Sequence, residues 1–143
     1  MATDLLTAAD QARLVIAIGA AERGHRGEIR CHLEGRYPGD GPKARAAELF
    51  EALAMVETAQ GTGVLLYLAT EDRKVAVHAG PGVPEPSSET WQSVATCVAD
   101  GFRAGDGIGG LERGIARLGD VLRELLPGGD AHGDELPNAV TTS

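Results

Sequence analysis

Apolar residues return along the chain in two rhythms. From residue 4 to 23, Leu5, Leu6, Ala9, Ala12, Val15, Ile16 and Ala20 recur at helical spacing, and the stretch Thr7 to Asp10 offers a helix start. Gly24 and Gly27 close that segment. Glu28-Ile29-Arg30-Cys31-His32-Leu33-Glu34 then alternates strictly, with Ile29, Cys31 and Leu33 on one side and the charged residues and His32 on the other. This pattern predicts a half-exposed strand near a sheet edge, with Cys31 buried and His32 on the solvated side. After the turn-rich run 37–42, Ala46, Leu49, Phe50, Leu53 and Val56 form a helical stripe over residues 43–57. Val64 to Ala69 is apolar on both faces, which predicts a central strand covered on two sides. Across the polar hinge Glu71-Asp72-Arg73, residues 74–79 alternate again, so the two runs read as a hairpin.

The loop from Gly80 to Pro86 holds three prolines, which lack the amide hydrogen a sheet needs. Ser87 or Ser88 can cap the following helix, which aligns Trp91, Val94, Val98 and Phe102. Past Gly105-Asp106-Gly107, a last helix aligns Ile108, Leu111, Ile115, Leu118, Leu122 and Leu125 and stops at Pro127. The order helix, strand, helix, strand, strand, helix, helix predicts an α/β fold, a small sheet with helices on both faces. Residues 1–127 form one domain in this reading. Residues 128–143, acidic and poor in apolar side chains, are expected to be a disordered tail.

Composition narrows the function. The 143 residues carry 13 Lys and Arg against 21 Asp and Glu, a formal charge of −8, which disfavours a nucleic-acid backbone as partner. Aromatic residues at 3% leave little material for stacking bases. Two cysteines do not make a disulfide framework. The first ten residues have no basic start followed by an apolar run, and no stretch reaches the roughly 18–20 apolar residues of a membrane span. The expectation is a cytoplasmic protein without direct membrane insertion.

Candidate chemistry is sparse. Gly105, Gly107 and Gly110 have the spacing of a dinucleotide fingerprint, but the preceding segment reads as helix where that motif requires a strand. The four histidines lack the pairing of a zinc site. Asp72 at the hairpin mouth and Asp106 before the last helix are placed where oxygen ligands for a hard cation gather; the same positions suit an ion pair with Arg73 or a helix cap.

Residues 63–77, glycine, apolar strand, Glu71-Asp72-Arg73 and second strand, together resemble the TPM domain family. The Gly27-Glu28-Ile29 strand, the helix of Ala47 to Met55 with Phe50, and the late segments 102–106 and 110–115 fit the same pattern in order, over roughly residues 10 to 127. The resemblance implies a three-layer α/β/α sandwich around a small mixed β-sheet. It also implies two roles. Members include a plant thylakoid protein described as an acid phosphatase, and bacterial proteins often encoded beside a LemA-type membrane protein. Some bind calcium or another divalent cation near the strand ends, so calcium or magnesium is the implied cofactor. This chain is similar to short bacterial forms without signal or anchor.

Asp72 and Arg73 match the family motif directly, and Gly80 and Gly82 match its glycine loop. Glu85 and Asp106 join Asp72 as metal ligands by position, with Gly105 and Gly107 beside them. The acidic and tyrosine positions of the family's Gly-Tyr-Gly-Leu-Glu-like loop are not reproduced in residues 80–88. The leading expectation is therefore a non-catalytic binding or accessory module for a LemA-like, membrane-associated system. The alternative is a divalent-cation-dependent phosphatase.

Overall fold

The computed structural model describes residues 7–53, 61–128 and 140–142. Its elements, in chain order, are α1 (Ala8–Ala21), β1 (Glu28–Glu34), α2 (Pro42–Ala52), β2 (Gly63–Ala69), β3 (Lys74–Ala79), α3 (Ser88–Arg103), α4 (Gly107–Leu125) and β4 (Val140–Thr142). Helix starts follow local chemistry. Thr7 and Asp10 form a reciprocal capping box on α1, Pro42 opens α2 with a fixed φ, and the side chains of Ser87 and Asp106 accept backbone N–H bonds at the starts of α3 and α4.

The four strands lie in the order β3-β2-β1-β4. β1 runs parallel to both β2 and β4, and β2 and β3 form the expected antiparallel hairpin. One sheet face, with Ile29, Cys31, Leu33, Val64, Leu66 and Leu68, packs against α1, α3 and α4. The other carries Leu65, Tyr67, Ala69 and Ala76 under Ala46, Leu49 and Phe50 of α2. The result is the mixed-sheet α/β/α sandwich. β2 is buried along its whole length, because it has strands on both edges and helices on both faces.

Three expectations are corrected. β1 is an interior strand and all seven of its residues are buried, since β4 pairs with Cys31, His32 and Leu33 along the edge that the alternation left open. His32 is therefore buried where the pattern predicts a solvated histidine. β4 also means that the tail is not disordered throughout: Val140 to Thr142 form a strand, while residues 129–139 lie outside the described residues. On α1 the buried face is Leu14, Ile18 and Ala21, and the predicted stripe faces outward, with Val15 38% and Ile16 72% exposed. This helix carries apolar residues on two opposite sides, and periodicity does not say which one meets the core. Leu5, Leu6 and Val56 fall outside the described residues.

Candidate functional site

β1 and β2 end side by side, and the loops that leave them are stitched together. Thr70 donates its backbone N–H to Glu34 O (2.7 Å), and Glu71 donates to Gly35 O (2.7 Å). The Tyr37 N–H then donates to the Asp72 carboxylate at 2.9 Å. Asp72 thus pins the loop after β1 to the β2–β3 turn. Beside it Arg73 holds a φ of +54°, a left-handed conformation that costs a non-glycine residue about 1–2 kcal/mol. Asp72→Ala should lower stability by about 1 kcal/mol, the ordinary value of one such bond, checked by urea unfolding.

Under α2 lies a buried polar row that starts on β1. Glu34 accepts two bonds from the Arg45 guanidinium, 3.0 and 2.8 Å, and one from the Tyr67 hydroxyl at 2.6 Å. Burial works to raise the Glu34 carboxyl, but the bonds from Arg45 and Tyr67 outweigh it and hold the group below its ordinary range. The Tyr67 phenol is pushed upward, by burial first and by its bond to Glu34 second. His32 Nδ1 lies 2.6 Å from the Thr141 hydroxyl of β4, and burial lowers its pKa. Arg30 donates to Leu53 O at 3.3 Å, while its buried Nε finds no hydrogen-bond partner. Cys31, on the opposite face, is fully buried with its thiol pushed up to about 12 by burial, so it remains a thiol at neutral pH.

The candidate ion ligands occupy different places. Glu85 precedes the start of α3, next to the N-terminal end of β2, where Gly80 and Gly82 donate to Gly63 O and Gly61 O at 2.8 and 2.9 Å. Asp72 lies past the opposite end of β2, about 20 Å of strand away. Asp106 caps α4 by accepting from Gly109 N at 3.0 Å and lies 3.9 Å from Arg113. Among the described residues no three His, Cys, Asp or Glu side chains converge to hold a metal ion. One divalent ion shared by Asp72, Glu85 and Asp106 does not fit this geometry, because ligand oxygens must all lie within about 2.6 Å of it.

The glycines of the fingerprint spacing have packing roles. Gly105 takes φ +77° after the last turn of α3, and Gly107 lies against the Phe102 ring. Gly110 lies against the backbone of Gly101, where α3 and α4 cross. A helix precedes these glycines and a strand does not, so the dinucleotide geometry is absent.

The family model for the TPM domain matches residues 2–121, most of the sequence and every described element except β4 and the end of α4. The chain belongs to the TPM domain family. The BA42 protein from the psychrophilic bacterium Bizionia argentinensis, solved by NMR, is 32% identical, with 96% of this chain and 95% of that one covered and a TM-score of 0.84. The N-terminal domain of cg2496 from Corynebacterium glutamicum shares the fold at 14% identity, with 84% and 76% covered and a TM-score of 0.64. The N-terminal domain of a P. gingivalis protein does so at 19% identity, with 84% and 78% covered and a TM-score of 0.68. No protein of curated function matches the sequence. Among the described residues, no helix of this TPM domain is long and apolar enough to cross a membrane.

Reading the sequence missed the row of Arg30, His32, Glu34, Arg45 and Tyr67. Half of its signal was visible, because alternation puts Arg30, His32 and Glu34 on one strand face. That Arg45 and Tyr67 close over Glu34 is a long-range fact with no local trace.

Proposed function

We propose that this TPM domain is a non-catalytic binding module that docks a helix of a membrane-held partner, of the LemA-like kind the family resemblance implies, on the outer face of α1. The observation that carries this reading is the outward stripe of Ala9, Ala12, Ile16 and Ala20. Ile16 is 72% exposed at its centre, on the side of the helix away from Leu14 and Ile18. Alanines around one large apolar residue leave room for a second helix to approach closely. Two further points support it: the Asp72 and Asp106 carboxylates are engaged by backbone N–H groups, and the buried Cys31 is not activated as a nucleophile.

The test is a titration of the domain with a purified LemA-like protein in detergent or nanodiscs. Ile16→Glu is expected to weaken binding at least about tenfold, since it places a charge in the contact. Its melting temperature should move by no more than about 2 °C, as for an ordinary surface change. Equal binding by wild type and Ile16→Glu would overturn the docking face. The competing reading, a divalent-cation-dependent phosphatase, predicts turnover of p-nitrophenyl phosphate that requires calcium or magnesium and disappears in Asp72→Ala. That result would overturn the non-catalytic module.

A further inference from the structure

A cavity of about 260 Å³ opens between the β2–β3 turn and the last two turns of α3. Its walls are apolar: Leu68 and Val75 from the hairpin, and Val98, Ala99 and Phe102 from α3. Thr70 and two guanidinium-bearing residues, Arg73 and Arg103, complete the lining. Arg103 is already bonded to Asp100 at 2.6 Å. Arg73 has no ion-pair partner among the described residues, although the chain carries eight more acids than bases. It also occupies a left-handed backbone position that glycine or asparagine would fill without strain. An apolar chamber with cationic groups at its border is matched by a ligand with an apolar body and one anionic end. The volume falls just below the roughly 300–1,000 Å³ of ordinary ligand pockets, which limits the body to a short chain.

We infer that this cavity binds a free monocarboxylate on a short unbranched apolar chain, with the carboxylate at Arg73 and Arg103 and the chain between Val75, Val98 and Phe102. The site is separate from the outer face of α1 and does not depend on the docking proposed there. Burial of the chain supplies the affinity, and the guanidiniums select for the charged head. Thr70, also on the wall, spends its hydroxyl on Glu34 O at 3.3 Å, so the head-group contact falls to the arginines.

The experiment is calorimetric titration with sodium octanoate, run beside 1-octanol, octylamine and a peptide ending in a leucine carboxylate. Changes in the NMR signals of residues 68–75 and 98–103 locate the binding. Octanoate is expected to bind saturably at this cavity, and octanol and octylamine at least about tenfold more weakly, the value of a lost charge-assisted bond. Arg73→Gly should keep the fold, because glycine accepts the left-handed backbone. It should weaken octanoate about tenfold, and Ala99→Leu, which fills the chamber but leaves both charges, should abolish binding. Absence of saturable octanoate binding, or binding unchanged in both variants, would overturn the site. Equal binding of octanol would overturn the carboxylate requirement, and tighter binding of the peptide would overturn the free acid as occupant.

Discussion

Gly101→Ala is expected to cost about 3 kcal/mol and to lower the melting temperature by roughly 6–12 °C, a large loss for a single methyl group. The reason is geometric. A Cβ on Gly101 would overlap the Cα of Gly110, and one on Gly110 would lie 2.8 Å from the Cα of Gly101. Both obstacles are backbone, so no rotamer change relieves them and the two helices must separate. Separation would loosen Val94 and Val98 of α3 from Leu111 and Ile115 of α4, all four within the main core. Thermal melts followed by circular dichroism check this, with Gly105→Asn as the contrast. Gly105 takes φ +77° with open space around its Cα, and asparagine tolerates that conformation, so its loss should stay near 0.5 kcal/mol.

The second large effect is expected at Glu34. In Glu34→Gln the Arg45 guanidinium loses its forked carboxylate partner and the Tyr67 hydroxyl faces a neutral amide. With the Glu34 side chain 9% exposed and that of Arg45 20%, the loss should be about 2–3 kcal/mol at pH 7. The dependence on pH has a definite sign. The folded carboxyl titrates below its ordinary 4.5, so its contribution is complete above that value and disappears as pH falls through the folded pKa. Wild type and Glu34→Gln should therefore converge in stability in strong acid. His32 acts earlier: burial lowers its pKa below 6.5, so the unfolded chain takes up the proton first and stability declines as pH falls below about 6.5. Urea unfolding of both proteins between pH 3 and 8 measures the two effects. A gap that stays constant down to pH 3 would contradict the account of Glu34.

The two predictions differ in how much of their basis the sequence shows. The spacing of Gly105, Gly107 and Gly110 matches a dinucleotide fingerprint, the helical segment before it points to a structural turn, and these glycines do shape the α3–α4 corner. The alternation of β1 suggested an edge strand with its charges in water, yet Glu34 and His32 are buried. On α1 the apolar stripe lies on the outward face, and the opposite face of the helix is the one that meets the core.

The sequence by itself determined the elements from α1 to α4 and their order, a serine cap for α3, the β2–β3 hairpin and the family resemblance. Those follow from local signals: apolar period, turn residues and side chains that bond their own backbone. Tertiary structure alone decided which face of α1 is buried, that β4 covers the free edge of β1, and that Arg45 and Tyr67 close over Glu34. It also decided that Asp72 and Glu85 lie at opposite ends of β2, despite standing thirteen residues apart in the chain. The physical reason is common to all four. Each depends on which surfaces meet across long stretches of chain, and a residue's own neighbours in sequence carry almost none of that information.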